Sequence, residues 1–316
     1  ELDALGVRVD ALDERVAVLE ENLGGWKFWG ELRFDARWAD ESDGAYDQGY
    51  YTHRGETEFD LNRYRLWMSK QIDDKTTVTM RIGGSDVSWQ RYFATIQLPW
   101  DSFLMVGMWN YDWEDEAGLY IDEDAWFTDQ TLTGFYWRKN LAKGDITFFA
   151  THDEEDGQDF GGDDFVAGQD RYNYGARFNF NLNDKFRIAL SGLYFDYDND
   201  GTVRDFDAWD IWGENISFYD YGVYWADFGI TFTPGFQFKG AYYMQDHDGP
   251  NIAGVPFDDS PNAYKAIIDV SQDTLKFTSL WLEYAKLDPN FHTALQPWSA
   301  YGAEVTPALM ESPVNN

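Results

Sequence analysis

The sequence predicts an all-β protein, a transmembrane antiparallel β-barrel that is preceded by a short α-helical coiled coil. Three observations indicate this architecture. Leucine and valine recur at heptad spacing up to Leu23, and apolar residues alternate with polar ones from Trp26 onwards. Thirteen segments with a period of two follow, which is the spacing of β-strands. Every second connection between these segments is short, and the others are mostly long and acidic.

The N-terminal 23 residues fit a parallel coiled coil, with apolar residues at heptad positions a and d. Position g holds Arg8 and Arg15, which face Asp13 and Glu20 at position e of a parallel neighbour. A helix packed on its own domain is the alternative, but such a helix usually carries a wider apolar stripe. Val at a with Leu at d favours a dimer, whereas the motif RVAVLE (15–20) is typical of trimers. We expect a homotrimer, and the residues assigned to trimerisation are Leu5, Val9, Leu12, Arg15, Val16, Leu19 and Glu20.

Gly24 and Gly25 end the predicted helix, because glycine adopts left-handed backbone angles at little cost. The chain then continues directly into a strand whose faces differ, one being aromatic and apolar and the other charged. The predicted strands span 26–38, 59–69, 76–84, 91–98, 102–110, 131–139, 145–152, 171–182, 186–196, 217–232, 236–245, 263–271 and 275–285.

The connections distinguish a membrane barrel from a soluble β-sandwich, which has no reason to make every second connection short. Outer-membrane barrels have short periplasmic turns, long external loops, an apolar lipid-facing band and aromatic girdles. The helix leads directly into the first strand, and the connection after that strand is long. The stalk therefore lies at the opposite end of the strand, on the short-turn, periplasmic side. Thirteen strands would leave the chain outside, and the segment ending at Asn316 lacks a final aromatic strand, so we expect further C-terminal strands.

Composition excludes several classes of function. The net charge of -33 repels nucleic acid and attracts cations. The absence of cysteine excludes disulfides and a thiol nucleophile. The longest apolar run, 103–109, is far shorter than the about 20 residues of a membrane helix. The four histidines show no catalytic or metal-ligand spacing, so we expect no enzyme, with a barrel enzyme such as an outer-membrane lipase as the alternative.

The heptads up to Leu23, the double glycine and the opening strand WKFWGELRFDARW (26–38) resemble the S-layer-homology porins, the OmpM-type tethers of diderm Negativicutes and relatives. The pattern is also similar to the porins of cyanobacteria. The resemblance implies a wall-binding N-terminal domain, a trimeric coiled coil across the periplasm and a trimeric diffusion pore. A barrel of general-porin size implies 16 strands when complete.

Strand parity assigns a set of charged residues to the lumen. An outward Arg63 or Arg65 would cost about 2–4 kcal/mol at mid-bilayer. Inward arginines opposite carboxylates would orient permeating solutes, or they would only solvate and brace the barrel. The predicted pore-lining residues are Arg33, Arg37, Arg63, Arg65, Arg81, Arg177, Arg187, Lys239, Glu31, Asp35, Asp227 and Glu283.

In general porins, which the topology resembles, the third external loop folds inwards as a constriction. The corresponding segment here is acidic, which would favour cations at a constriction, and a solvated loop above the membrane is the alternative. The acidic residues of the predicted constriction loop are Glu114, Asp115, Glu116, Asp122, Glu123 and Asp124.

The segment DYDNDGTVRDFD (196–207) partly fits a calcium-binding loop, in which three carboxylates surround one ion. It departs from the pattern at Arg204, in the terminal Asp and in having no flanking helices, so an ordinary acidic loop is the alternative. The candidate ligands are Asp196, Asp198, Asp200 and Asp207.

These observations divide the chain into a periplasmic stalk (1–23), a glycine linker (24–25) and an outer-membrane barrel (26–316) that lacks its C-terminal strands. The expected function is a porin for ions and small hydrophilic solutes that also tethers the outer membrane to the cell wall. Its partners would be further copies of the chain, lipid, and peptidoglycan or a secondary wall polymer. No cofactor is required, and calcium in the external loops is the one candidate. A non-conducting surface or S-layer protein with a plugged barrel is the alternative function.

Overall fold

The computed structural model describes residues 24–37, 58–84, 87–120, 125–153, 171–197, 203–204, 216–217, 220–247, 260–288, 291, 293 and 314–315. One antiparallel sheet of 14 strands dominates this part of the chain. The predicted coiled coil, 1–23, lies outside the described residues. In the described ranges, no helix is long and apolar enough to cross a membrane.

The sheet is built from the strands β1 (Trp26–Arg37), β2 (Glu58–Gln71), β3 (Thr76–Gly83), β4 (Ser88–Leu98), β5 (Ser102–Tyr111), β6 (Gln130–Leu141), β7 (Gly144–Asp153), β8 (Arg171–Asn183), β9 (Phe186–Tyr197), β12 (Tyr221–Thr233), β13 (Phe236–His247), β14 (Asn262–Val270), β15 (Leu280–Leu287) and β16 (Val314–Asn315). The two short strands β10 (Val203–Arg204) and β11 (Ile216–Ser217) pair only with each other. Two short helices, α1 (Trp113–Ala117) and α2 (Gln272–Leu275), lie in connections.

Consecutive strands of the large sheet pair with each other from β1 to β16, with β12 following β9, which is an up-and-down order. The prediction of an all-β antiparallel class is therefore confirmed. All thirteen predicted segments coincide with strands β1–β9 and β12–β15. The 16 strands expected of a complete barrel are not shown. The large sheet has 14 strands in the described residues, and the last of them, β16, has only two residues.

The strand predicted at 91–98 begins three residues earlier, at Ser88, and two other starts need larger corrections. The strand predicted at 217–232 begins only at Tyr221, and the strand predicted at 275–285 begins only at Leu280. At the second place α2 occupies the turn, and Ser271 N donates to Gly235 O, which ties this turn to the neighbouring one. Lys276 then adopts a positive φ of 73°, which ends the helix before the strand can begin.

The two faces of the sheet show an inverted pattern of burial. On β8, the Arg177 side chain is buried with 1% exposure, whereas its neighbour Phe178 is 36% exposed. The same contrast recurs along the strand with the buried Asn173 and the exposed Tyr174. We call the face of Arg177 the inner face and the face of Phe178 the outer face. Large exposed apolar patches mark surfaces that contact a partner or a membrane.

Tyrosines form a row on the outer face, near the ends of the strands that lead into long connections. Each of six strands, β8, β9 and β12–β15, contributes one exposed tyrosine. Tyr194 Oη donates to Asp220 Oδ2 at 3.1 Å, and Tyr242 Oη donates to Asn262 Oδ1 at 3.0 Å. Rings with a polar tip are typical of a membrane–water interface. The row comprises Tyr174, Tyr194, Tyr224, Tyr242, Tyr264 and Tyr284.

The packing of the Phe149 ring on Gly175 of β8 can be tested by mutation. A Cβ at this position would lie 2.1 Å from Cε1 of Phe149, and the Phe149 ring is held by Trp109 and Trp113 at centroid distances of 5.6 and 5.4 Å. We therefore expect Gly175→Ala to lower the free energy of unfolding by about 1–3 kcal/mol, the usual cost of overpacking. Chemical denaturation in detergent measures this change.

The matched control is Gly229→Ala on β12, because the nearest heavy atom to a Cβ there is 3.7 Å away. This variant should be within about 0.5 kcal/mol of the wild type. Equal stability of the two variants would contradict the proposed packing of Phe149 on Gly175.

Candidate functional site

The segment between β5 and β6 lies against the inner face of the sheet. We call residues 112–129 the inward loop; the structure describes 112–120 and 125–129. Its first turn is α1, where the Asp112 side chain accepts a hydrogen bond from Asp115 N at 2.9 Å as an N-cap. Gly118 ends the helix with a φ of 62°, and a Cβ there would lie 2.6 Å from Lys239 Nζ. Glycine is therefore favoured by the left-handed turn, and the end of the Lys239 side chain lies against it.

Aromatic side chains hold the inward loop against the strands. Trp113, Trp126 and Phe127 are completely buried. Trp126 and Phe127 pack on Tyr243 with ring centroids 4.9 and 5.7 Å apart, and Trp113 packs on Trp225 at 6.2 Å. Contacts of one loop with β7, β12 and β13 require the sheet to curve around it. The loop thus fills the space in front of these strands.

Polar anchors from four strands reinforce the aromatic contacts. Each anchor is a side-chain donor on the inner face that reaches an oxygen of the inward loop. The four hydrogen bonds are Arg138 Nη1 to Glu116 Oε1 at 2.9 Å, Arg187 Nη2 to Ala117 O at 3.2 Å, Tyr243 Oη to Glu114 Oε1 at 2.8 Å and Lys265 Nζ to Leu119 O at 3.2 Å. Because the donors lie on β6, β9, β13 and β14, the loop is fixed to this wall of the sheet.

Glu114, one of the acids of the predicted constriction loop, directs its carboxylate into the loop itself rather than to solvent. The side chain is completely buried. Its Oε2 accepts hydrogen bonds from the backbone N–H groups of Trp126, Phe127 and Thr128 at 3.0, 2.7 and 3.0 Å. A buried carboxylate needs such donors, because without them its desolvation would be very costly. The two halves of the loop are joined through this one side chain.

The other acids of the predicted constriction lie elsewhere on the loop. Asp115 and Glu116 are exposed on α1, and Glu116 pairs with Arg138. Asp122, Glu123 and Asp124 lie outside the described residues. At the base of the loop, Asp112 accepts hydrogen bonds from Tyr120 Oη and Thr128 Oγ1.

Arginines from β1–β4 line the opposite wall of the inner face, and we call Arg33, Arg63, Arg65, Arg81 and Arg91 the arginine ladder. The strand registers place Arg33 opposite Arg63, and Arg81 opposite Arg91. Arg65 Nη1 forms an ion pair with Glu31 Oε2 at 3.4 Å.

Trp67 lies within the ladder. Its ring centroid is 5.2 Å from Arg81 Cζ and 5.7 Å from Arg91 Cζ, and its Nε1 donates to Glu31 Oε1 at 3.3 Å. Sequence reasoning assigned neither Trp67 nor Arg91 to the site. Residues two apart in a strand share a face, so Arg91 lies on the same face as Phe93 of β4. This alternation would have placed Arg91 on the inner face.

Opposite charges interact at the end of the inward loop. Asp129, at the end of the inward loop, accepts a hydrogen bond from Asn110 Nδ2 at 3.2 Å. Burial raises the pKa of Asp129 above its ordinary value, and Arg91 and Arg65 oppose this rise electrostatically. The ladder therefore interacts with the carboxylates at the base of the loop.

On the loop-bearing wall, five of the predicted lumen residues form ion pairs, three of them with one another and two with residues that were not predicted. Asp227 is completely buried and accepts from Arg177 Nη1 at 3.3 Å and from Arg187 Nη1 at 2.6 Å. Lys239 pairs with Asp269 at 2.8 Å, and Lys265 approaches Glu283 at 3.8 Å. These ion pairs join strands of the same wall. The side chains of Arg37 and Asp35 lie outside the described residues.

The calcium prediction lies mostly beyond the described residues. Asp196 is at the end of β9, whereas Asp198, Asp200 and Asp207 are not described. Within the part of the chain that the structure covers, no group of three or more His, Asp or Glu residues is placed to hold a metal ion. Calcium binding stays a prediction.

No protein-family profile and no curated protein matches this chain. Among solved structures, it is similar to outer-membrane expressed OmpT of Vibrio cholerae, with 11% identity over 92% of this chain and 94% of that one and a TM-score of 0.45. It is also similar to the outer membrane channel DcaP of Acinetobacter baumannii, with 12% identity, coverage of 83% and 91% and a TM-score of 0.40. The Salmonella typhi OmpF complex with Daunomycin gives 11% identity, coverage of 83% and 90% and a TM-score of 0.41. Likenesses of this strength carry no functional argument.

The Glu114 cradle predicts a local change in hydrogen exchange. In Glu114→Gln an amide replaces the carboxylate, which weakens acceptance from three backbone N–H groups. We expect the amide protons of Phe127 and Thr128 to exchange about tenfold faster or more, as measured by hydrogen–deuterium exchange.

Asp115→Asn, on the exposed side of the same loop, is the control and should leave these rates unchanged. Wild-type rates in Glu114→Gln would show that the carboxylate does not hold the loop together.

Asp112 gives a pH prediction for the loop, outside the strands. Burial raises the pKa of its carboxyl group to about 7, although the hydrogen bond from Tyr120 lowers it. Because the folded state binds a proton that an unfolded Asp with a pKa of 3.8 would release, this group's contribution to the free energy of unfolding falls as the pH rises from about 4 to about 7. In Tyr120→Phe we expect the midpoint to move upwards in a carbon-13 titration of the Asp112 carboxyl group. A midpoint that moves downwards would contradict this account.

Proposed function

We propose that this chain forms an outer-membrane porin, a passive diffusion channel for ions and small hydrophilic solutes. The observation that carries the proposal is the inverted burial of the sheet, with Arg177 buried and Phe178 exposed on the same strand. In water this arrangement is unfavourable, because it exposes aromatic surface and buries charge. In a bilayer it is the expected one, since lipid contacts the apolar face and the polar face surrounds the lumen.

The tyrosine row supports the same orientation. In the proposed topology it lies at the external interface, because the long connections begin beyond it. Lipid cannot hydrogen-bond a free sheet edge, so the proposal requires β1 to pair with a further strand and close the wall. The short turns then face the periplasm.

The permeation path in this proposal runs between the arginine ladder on β1–β4 and the inward loop. The loop is fixed to strands between β6 and β14 by its hydrogen bonds. It therefore narrows the lumen from that wall and leaves the ladder uncovered. Positive charge on the ladder and the carboxylate of Asp129 at the end of the inward loop would create a local field along this path. Such a field orients permeating solutes and sets ion selectivity.

Tethering of the outer membrane is the second part of the proposal. It rests on the heptads before Leu23 and on the resemblance to the S-layer-homology porins. In this arrangement the trimeric stalk enters the periplasm, and an N-terminal domain binds peptidoglycan or a secondary wall polymer.

A non-conducting structural barrel is the competing function, and one observation favours it. Trp113, Trp126 and Phe127 form a continuous aromatic cluster with Trp225, Tyr243 and Phe291 on the inner face. If the cluster extends across the whole interior, the barrel is plugged. Ion conductance separates the two functions.

We expect the purified protein to produce stepwise ionic currents in a planar lipid bilayer. Arg65→Gln, which removes one positive charge from the ladder, should shift the reversal potential in a salt gradient towards cation selectivity. Lys75→Gln, in the exposed turn between β2 and β3, removes the same charge away from the path and should change it little. An intact, folded protein that never conducts would favour the plugged barrel.

The oligomeric state has its own test. In detergent, light scattering should give a protein mass of about three times 36.7 kDa. Val9→Asp combined with Val16→Asp places charge at two a positions and should dissociate the stalk. Ala11→Asp, at an outward c position of the same heptads, should leave the trimer intact. A monomeric wild type would refute the proposed coiled coil.

A further inference from the structure

Two arginines of the ladder lie directly opposite each other on neighbouring strands. Arg81 on β3 is the cross-strand partner of Arg91 on β4. Arg81 is buried with only 5% exposure, so water screens its charge poorly. Like charges placed directly opposite each other destabilise a sheet. Asp129 interacts electrostatically with Arg91, and a further negative group bound directly to the pair would offset the remaining repulsion.

Each arginine of this pair has a buried N–H donor that forms no hydrogen bond in the described residues. Nε of Arg81 and Nε of Arg91 are both buried and have no hydrogen-bond partner among the described residues. Buried polar groups are ordinarily hydrogen-bonded, so each such atom requires an explanation. The neighbouring carboxylate, Glu31, instead binds Arg65 and Trp67.

Trp67 gives the pair a defined geometry. Both guanidinium groups lie within 5.7 Å of its ring centroid, which is the range of a cation–π contact. A planar fork held on an aromatic ring is pre-organised for the two parallel hydrogen bonds that a carboxylate or phosphate accepts. Lysine in the same place would supply charge but not this fork.

We infer that Arg81, Arg91 and Trp67 form an oxyanion-binding subsite, which takes the carboxylate or phosphate group of a permeating solute. The inference deepens the proposed function, because solutes reach the subsite through the channel. The adjacent rung of the ladder is open to solvent, since the side chains of Arg65 and Glu31 are 26% and 43% exposed. An anion enters beside Arg65 and is held by the deeper pair.

The subsite would work against the charge of the whole molecule. A net charge of -33 lowers the concentration of anions near the surface. A local cluster of arginines offsets this repulsion at one place in the lumen. Anionic solutes would thus be retained at the ladder, whereas inorganic cations would pass nearer to the loop carboxylates.

Calorimetric titration of the detergent-purified chain with inorganic phosphate, and separately with acetate, tests the subsite. We expect saturable binding of at least one of the two, and the comparison tells a phosphate preference from a carboxylate preference. Arg91→Gln should raise the dissociation constant about tenfold or more, and Arg91→Lys should also weaken binding because the fork is lost. Lys75→Gln is the matched loss of one positive charge at an exposed turn and should bind as the wild type does.

Arg91 is the primary target because Arg81 is more deeply buried, and Arg81→Gln serves as a second variant once circular dichroism shows the native strand content. No saturable binding of either anion, or equal affinity in the wild type and Arg91→Gln, would overturn the subsite. Wild-type affinity in Arg91→Lys would do the same, since simple charge would then suffice. Single-channel recording keeps the two proposals apart. A conducting protein that binds neither anion retains the porin and loses the subsite, whereas a non-conducting protein that binds phosphate through Arg91 retains the subsite and loses the porin.

Discussion

The buried carboxylate of Glu114 is the interaction on which the inner architecture depends. One oxygen gathers three backbone N–H groups from the far half of the inward loop, and the other accepts from Tyr243 on β13. A carboxylate at this depth is tolerated only because its lone pairs are satisfied. The loop is therefore closed on itself and attached to the wall through the same side chain, which brings Trp126 and Phe127 against the strands.

This attachment divides the inner face into two parts with different chemistry. On the loop-bearing wall, the buried Asp227 is paired with the buried Arg177 and the partly exposed Arg187, so these charges satisfy one another. On β1–β4 the positive charges outnumber the described acids, and the buried Nε atoms of Arg81 and Arg91 have no partner in the described ranges. The second part is where a binding site for solutes can exist, because these two buried donors stay available to an acceptor.

Strands and faces were predictable from the sequence to a large extent. A period of two follows from the pleat and needs no tertiary information, so the thirteen segments coincide with strands and Arg177 and Phe178 fall on opposite faces. The starts near Tyr221 and Leu280 were less predictable, because a turn held by Gly235 and Ser271 decides the second of them. Heptads predict a coiled coil in the same local way, and that prediction awaits the oligomeric test.

The sequence by itself determined the all-β class, the order of long and short connections and the face on which each strand residue lies, since all three depend on residues close together in the chain. Only the tertiary structure decided which charges meet. Glu114 bonds to groups 12 to 14 residues away and to Tyr243, 129 residues away, and Arg187 reaches Ala117 across 70 residues. Strand parity states that a side chain points inwards. Whether it then braces the wall, holds the loop or stays available to a solute depends on the curvature of the sheet and on the position of the loop, which no local pattern encodes.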